Sequence, residues 1–252
     1  MSLKLLRDGK IVEVQTSEEK TLASFCDQLN FDVKLEWIDG QYWLHSDIEK
    51  ERPIGIEIDK ELKRHEEFFK RSSLQKELLA KAIGVKGPKR PKVNDLTAGL
   101  LGDTLLFLSF GCEVEATERN PIIAFLIQSA LKNAQHPALS RLKFYHQDAL
   151  SFLQERNEFE VIYYDPMFED ANEKSSPRKE MRIFRVFIGK DQDVEEVLRA
   201  ALEKNAKRVV VKRPKHSAHI SFSAPLEFTG KATRYDVYLG QNPRTFESNP
   251  VE

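Results

Sequence analysis

Cysteine is scarce in this sequence, which contains two, Cys26 and Cys112, among 252 residues. They are too few and too far apart to form a disulfide framework or a cluster with metal-ligand spacing. Histidine, cysteine and carboxylate residues are not grouped at the spacing of zinc ligands either, so we predict no bound metal. This cysteine usage is typical of proteins in the reducing cytoplasm, where we expect this protein to work.

Long apolar runs are also missing. The longest, such as residues 104–110, fall far short of the roughly 20 residues that a membrane-spanning helix needs. The N-terminal segment MSLKLLRDGKIVEVQ has charges scattered through it and no apolar stretch of signal-peptide length. We therefore expect neither a membrane span nor a secretion signal.

Charge of one sign does not dominate the chain. The 39 Lys and Arg residues nearly balance the 40 Asp and Glu residues, which gives a net charge of −1. This balance argues against a surface that binds nucleic acid everywhere, but it allows a local basic face. Positive side chains do cluster in residues 86–92, 178–185 and 212–216. A single cluster of this kind is more often a solvated surface than a phosphate site.

The first ninety residues mix helical and strand patterns. The Asp39-Gly40 step between two runs of alternating apolar residues predicts a β-hairpin. The predicted elements are a helix, this hairpin, a candidate strand and a long charged helix, at residues 17–29, 33–44, 54–58 and 61–83. The segment GVKGPKRPK, residues 84–92, is rich in helix breakers. We predict it as the boundary between an N-terminal α+β region, 1–90, and a second domain, 91–252.

Beyond residue 92, strand and helix patterns alternate. Strands are predicted at 93–96, 113–117, 142–146, 160–164, 208–212, 226–228 and 235–239, and helices at 103–110, 121–133 and 193–204. Such alternation predicts an α/β fold with a doubly wound, mostly parallel, seven-stranded sheet that has helices on both faces. Ligands of these sheets bind at the carboxyl ends of the strands, so the loops after the strands are the predicted functional sites.

Three successive strand ends carry residues that suit a nucleoside ligand. The segment DLTAGLLGD, 95–103, begins with Asp95, and its glycines, Gly99 among them, let a ligand approach the next helix. Glu118 ends the second strand, where a carboxylate can accept hydrogen bonds from both ribose hydroxyls. Asp148 follows the third strand, where it can meet an adenine amino group. Each of these features also has an ordinary structural explanation. Segment 95–103 could be a plain turn, Glu118 a charge that stabilises the following helix, and Asp148 a helix N-cap.

The three strand ends, taken together, indicate which cofactor binds. A dinucleotide needs a GxGxxG pattern for its pyrophosphate, and segment 95–103 lacks that spacing. S-adenosylmethionine has a ribose and an adenine but no phosphate. We therefore predict S-adenosylmethionine at these strand ends.

The fourth predicted strand runs into an Asp-Pro-Met-Phe sequence, residues 165–168. An exocyclic amine of a base is a poor nucleophile because its lone pair is delocalised into the ring. The Asp165 carboxylate and the Pro166 carbonyl can accept both N–H groups and hold the nitrogen in line with a methyl donor. Phe168 offers a stacking face for a base taken out of its stack. The pattern resembles the (D/N)PP(Y/F) motif of amino-group methyltransferases, although a common Asp-Pro turn and a core phenylalanine are the alternatives.

A long charged loop, 169–190, follows this motif, and loops of this length in compact domains are usually functional or disordered. The fifth predicted strand ends at the same edge of the sheet, and another basic cluster lies there. The cations predicted to contact RNA phosphates come from these two places: Arg178, Lys179, Arg182, Lys212, Arg213 and Lys215. RNA binding is then expected to be sensitive to salt.

From about residue 54 to residue 240, the chain resembles the bacterial ribosomal RNA small-subunit methyltransferase J family. The similarity is carried by AKAIGVKG, DLTAGLLGD, ERNP, YYDPMF, KEMR, RVVVKRP and RYDVYLG. It implies a Rossmann-like methyltransferase fold and methyl transfer to guanine N2 of small-subunit ribosomal RNA, with RNA or the small ribosomal subunit as partner. It also implies cofactor contacts at Gly102, Asp103, Glu118, Arg119, Asp148, Ala149 and Asp165. The chain departs from the family pattern at Gly102, where an arginine is common, and at Asp148-Ala149, where small hydroxylated residues are frequent.

Two alternatives stay open on the residues alone. The Asp-Pro-Met-Phe motif also suits adenine N6 or another amino group, since its chemistry does not distinguish guanine from adenine. The same fold also serves RNA-binding proteins without catalytic activity.

Overall fold

The computed structural model describes residues 2–29, 32–45, 52–166, 193–217 and 226–240, which contain two β-sheets. The smaller, N-terminal sheet has four strands, β1 Leu3–Arg7, β2 Lys10–Val12, β3 Val33–Ile38 and β4 Gln41–Leu44. Their order is β2-β1-β3-β4, with β1 and β3 parallel and the outer pairs antiparallel. Helix α1, Ser17–Cys26, connects β2 to β3 and is capped by Thr16 and Glu19.

The predicted hairpin is confirmed. Asp39 and Gly40 both have positive φ, 49° and 86°, as the two central residues of a type I′ turn require. A second Asp-Gly turn, at Asp8 and Gly9 with φ of 52° and 71°, joins β1 to β2. The sequence interpretation passed over this second turn, although it carries the same signal.

The predicted helix 61–83 is two helices, α2 Ile58–Arg71 and α3 Leu78–Ile83, and the candidate strand 54–58 is reduced to a single bridge between Ile54 and Leu44. Ser72 is extended, with φ −123° and ψ 144°, and the Ser73 side chain accepts a hydrogen bond from the next turn. Serine side chains compete with the helix for backbone hydrogen bonds, and this pair divides the helix.

The larger sheet has seven strands and confirms the predicted fold class. They are β5 Val93–Asp95, β6 Val114–Glu118, β7 Leu142–His146, β8 Val161–Tyr164, β9 Arg208–Pro214, β10 Leu226–Thr229 and β11 Thr233–Leu239. Their order is β10-β11-β9-β8-β5-β6-β7. Strands β5 to β9 are parallel to one another, and β11 is antiparallel to both of its neighbours.

Helices cover both faces of this sheet. They are α4 Gly102–Ser109, α5 Pro121–Asn133, α6 Ala149–Gln154 and α7 Val194–Glu203. Side chains of α4 and α5 belong to one hydrophobic cluster, and those of α6 and α7 belong to another. The chain moves from β5 to β6 and β7 and then returns to β8 on the other side of β5. The sheet order therefore reverses between β5 and β8, and a crevice is expected at the carboxyl ends of these two strands.

The N-terminal sheet packs on α5. The Tyr42 amide donates a hydrogen bond to Ser129 Oγ over 2.9 Å, and the rings of Tyr42 and Phe125 lie 5.2 Å apart. Asn133 donates to the carbonyl of Asp39 in the hairpin turn. Side chains from both sides of the predicted boundary at residues 84–92 contribute to one hydrophobic cluster. The division into two domains stays a prediction.

Candidate active site

Asp95 ends the central strand β5 with its carboxyl group inside the protein. Only 1% of the residue is exposed. One carboxyl oxygen accepts the amide of Thr97 over 3.1 Å, and the other accepts the hydroxyl of Thr104 over 2.6 Å. Burial, reinforced by the nearby carboxylates of Asp103 and Asp165, raises the pKa of Asp95 to about 7. Asp95 thus holds the loop after β5 from inside the protein, and its predicted cofactor contact stays a prediction.

We expect Asp95→Asn to make the protein more stable at neutral pH. Because the folded protein raises the pKa of Asp95, the contribution of this residue to stability is greatest at low pH and is lost as pH rises from about 4 to about 7. The shift from 3.8 to about 7 corresponds to a destabilisation on the order of 4 kcal/mol at pH 8. Asparagine accepts from Thr97, donates to Thr104 and does not titrate.

Urea unfolding at pH 5 and pH 8 measures this effect. The advantage of Asp95→Asn over the wild type should grow between the two pH values. An advantage that is the same at both pH values would contradict the assignment of the titration to Asp95.

The loop after β5 leaves room above the start of α4. Gly99 and Leu101 have positive φ of 52° and 64°, so the chain turns sharply before the helix begins. A Cβ added to Gly102 would meet no atom of the described residues within 4 Å, and one on Gly99 would meet only the Thr97 carbonyl at 4.0 Å. A ligand can therefore approach the backbone at the N-terminus of α4.

Glu118 connects this loop to the end of β6. Its carboxylate accepts the Gly99 amide over 3.0 Å through one oxygen and the Asn120 amide over 2.8 Å through the other. The residue is 6% exposed. Each carboxylate oxygen can accept more than one hydrogen bond, so the loop contact is compatible with the predicted contact to ribose hydroxyls.

Asp148 is the N-cap of α6. This is the role that the sequence offered as the alternative to a cofactor contact. One of its oxygens accepts the amides of Leu150 and Ser151, and the other lies 4.0 Å from the Arg119 guanidinium. Arg119 also forms an ion pair of 2.9 Å with Asp193, just before α7. Ala149 is buried in the first turn of α6. These residues line the edge of the sheet beside Glu118, and their cofactor contacts stay predictions.

Asp165 lies at the end of β8, directly beside the loop after β5. Its amide donates a hydrogen bond of 2.8 Å to Thr97 Oγ1, and its carboxylate accepts one of 2.8 Å from the Lys212 ammonium. Pro166 is buried immediately after it. The structure therefore brings Asp165 to the reversal point of the sheet, where the crevice was expected. Phe168 lies outside the described residues.

Lys212 forms a second ion pair, also of 2.8 Å, with Asp103 in the first turn of α4. The hydroxyl of Tyr163 donates to the same carboxylate oxygen of Asp103. Burial alone would lower the pKa of Lys212, but the carboxylates of Asp165 and Asp103 outweigh it and raise that pKa. Burial also raises the pKa of Tyr163, so its hydroxyl stays a hydrogen-bond donor at neutral pH.

Two predicted RNA-binding cations do not lie on an outward face. Lys212 points to the two carboxylates described above, and Arg213 is 7% exposed and donates to Ser217 Oγ over 3.0 Å. Both belong to β9, which runs two residues beyond the predicted strand, 208–212. Lys215, in the turn that follows, is half-buried. Arg178, Lys179 and Arg182 lie outside the described residues.

Sequence reasoning missed three residues that hold the site together: Thr97, Thr104 and Tyr163. A threonine two residues after a strand gives little signal on its own. Tyr163 is a buried tyrosine at the end of an apolar strand, where its hydroxyl needs a partner. The sequence shows that this hydroxyl needs a partner. It does not show that the partner is Asp103, because that residue is distant in the chain.

Comparisons with known proteins agree with this geometry. The family model for SAM-dependent methyltransferases matches residues 25–240. A ribosomal RNA small subunit methyltransferase J from Thioalkalivibrio sulfidiphilus is 42% identical over 178 residues, which cover 67% of this chain and 70% of that protein. Another, from Stutzerimonas stutzeri, is 38% identical over 74% of each chain. The crystal structure of a SAM-dependent methyltransferase from Neisseria gonorrhoeae has a TM-score of 0.64 at 25% identity, covering 94% of this chain and 95% of that one.

The chain belongs to the ribosomal RNA small-subunit methyltransferase J family. This confirms the resemblance inferred from its motifs, and it confirms S-adenosylmethionine as the cofactor of this methyltransferase. Among the residues that the structure describes, no group of His, Cys, Asp or Glu side chains is arranged to hold a metal ion. Within the same ranges, no helix combines the length and the apolar character that crossing a membrane requires.

The sheet edge of this methyltransferase fits S-adenosylmethionine. The open backbone at Gly99 and Gly102 gives room for the ligand, and Glu118 presents a buried carboxylate beside it. Asp103 and Asp165 present two carboxylates at this part of the edge, and both pair with the Lys212 ammonium.

Proposed function

We propose that this protein transfers a methyl group from S-adenosylmethionine to N2 of a guanine in small-subunit ribosomal RNA. The observation that carries the proposal is the position of Asp165 at the end of β8, held by Thr97 and Lys212 beside the loop after β5. The small-subunit RNA is supported by the names of the relatives in Thioalkalivibrio and Stutzerimonas. Guanine N2 is supported by the resemblance to the family.

Each residue of the site has a separate task in this proposal. Glu118 binds the ribose of the cofactor, and Asp148 binds its adenine amino group. Bound S-adenosylmethionine supplies an electrophilic methyl group. The Asp165 carboxylate and the Pro166 carbonyl accept the N–H groups of the target amine, which orients its lone pair and stabilises the positive charge that develops on nitrogen. The Asp165 carboxylate is also placed to hold the proton that this nitrogen releases.

In this proposal, basic side chains bind the RNA. Lys215 lies just after β9, at the same edge of the sheet as Asp165. Together with Arg178, Lys179 and Arg182, it is proposed to contact phosphates that position the target base. A ribosomal substrate would place the enzyme in the cytoplasm.

Mass spectrometry of small-subunit ribosomal RNA from cells lacking this protein tests the proposal. We expect one N2-methylguanine to be missing and to return when the wild-type protein is supplied. Purified protein should then methylate small subunits, or the RNA extracted from them, that come from the deficient cells. A missing N6-methyladenine would favour the adenine alternative, and unchanged RNA would contradict the proposed function.

A further inference from the structure

Lys212 is held in place by the backbone on both sides of its strand. In β9, Val211 pairs with Tyr164 of β8 in parallel register, so Lys212 lies beside the residue that follows, Asp165. On the other side, Lys212 pairs with Tyr235 of β11. A residue inside a paired strand has little backbone freedom. The position of its ammonium is therefore set by the sheet, unlike that of a lysine in a surface loop.

The Lys212 ammonium joins two carboxylates from different parts of the site. It lies 2.8 Å from Asp103 at the start of α4 and 2.8 Å from Asp165 at the end of β8. The three side chains are partly shielded from water, with 27% of Lys212, 22% of Asp103 and 34% of Asp165 exposed. Without the ammonium, the two carboxylates would repel each other, and Asp165 would lose the contact that links it to Asp103.

We propose that Lys212 is a positioning residue for methyl transfer, because it links the Asp165 carboxylate to Asp103 and fixes the direction in which Asp165 accepts the target amine. The inference rests on the proposed function and deepens it. It also replaces the role predicted for Lys212 in RNA phosphate binding. The two roles differ in a measurable way, since a positioning residue changes the rate on bound RNA and a phosphate contact changes the affinity for RNA.

Steady-state kinetics of Lys212→Met separate these roles. The assay uses small ribosomal subunits from cells lacking the protein, with saturating S-adenosylmethionine. We expect kcat to fall about 100-fold, as misplacement of a catalytic group does, and KM for the subunit to stay within about threefold. The dependence of RNA binding on salt should be unchanged. A phosphate contact would instead raise KM, leave kcat unchanged and reduce the salt slope by about 1.

Three further variants control the result. Lys212→Arg keeps the charge and can pair with both carboxylates, so it should recover at least about a tenth of the wild-type kcat. Asp103→Asn keeps Lys212 and weakens its link to α4, so it should lower kcat less than Lys212→Met does. Lys207→Met removes an exposed lysine just before β9, where it pairs with Glu160, and should leave kcat unchanged.

Thermal unfolding and calorimetric binding of S-adenosylhomocysteine show whether each variant is folded. If Lys212→Met does not fold, Lys212→Arg and Asp103→Asn decide the matter, and wild-type kcat in Asp103→Asn would then overturn the inference. Wild-type kcat in a folded Lys212→Met would also overturn it, as would a loss confined to KM. Absence of turnover by the wild-type protein would overturn the proposed function itself, and this inference with it.

Discussion

Replacement of Asp165 by alanine is expected to reduce kcat for methyl transfer by about 100- to 1000-fold, the loss typical when one group that stabilises developing charge is removed. Asp165 is the carboxylate at the end of β8, and its contacts with Thr97 and Lys212 hold it at the reversal point of the sheet. Alanine leaves the backbone contact with Thr97 intact. Calorimetric affinity for S-adenosylhomocysteine and affinity for RNA should therefore change little.

Asp165→Asn and Asp27→Ala complete this test. Asparagine keeps one acceptor oxygen but loses the ion pair with Lys212, so its kcat should lie between those of the wild type and Asp165→Ala. Asp27 is exposed at the end of α1, and its replacement should leave kcat unchanged. Turnover by a folded Asp165→Ala within about threefold of the wild type would remove Asp165 from the mechanism.

The second large effect is expected for Glu118→Gln, which should weaken S-adenosylmethionine binding by about 10- to 100-fold. Hydrogen bonds to a charged group contribute about 1.5 to 3 kcal/mol, and the amide lacks that charge. Both carboxylate oxygens of Glu118 also accept backbone amides, from Gly99 and Asn120. Glutamine has one acceptor oxygen and an amide nitrogen that cannot accept, so one of these two contacts should be lost as well. Isothermal titration calorimetry measures the change directly.

A matched control is Glu155→Gln at the exposed end of α6, which should bind S-adenosylmethionine as the wild type does. At saturating S-adenosylmethionine, Glu118→Gln should recover most of the wild-type kcat, because the proposed role of Glu118 is to bind the ribose and not the target amine. Wild-type affinity in a folded Glu118→Gln would exclude Glu118 from the cofactor site.

Most of the large sheet could be predicted from the sequence because its central strands are buried on both faces. Such strands appear as short, continuous apolar runs between helices with one apolar face. The fully buried strand β8, predicted at 160–164, spans Val161–Tyr164, and α5 has the predicted bounds. The order of the strand ends also placed Glu118 and Asp165 at one edge, since parallel strands end at the same edge of a sheet.

Pairing between distant side chains could not be predicted in the same way. The predicted strand 208–212 included Lys212, but the basic cluster around it did not show which groups its side chain faces. In the structure β9 continues to Pro214, and Lys212 faces two carboxylates, one of which is 109 residues away in the chain. Likewise, Asp148 has the local signal of an N-cap, and that signal is correct whether or not the second oxygen binds adenine.

A crystal structure of this protein with S-adenosylhomocysteine would test the central claim most directly. The account predicts that the ligand lies across the ends of β5, β6 and β8, with its ribose on Glu118 and its sulfur beside the Asp165 carboxylate. A ligand bound elsewhere, or an Asp165 side chain turned away from the sulfur with Lys212 paired to another group, would contradict it.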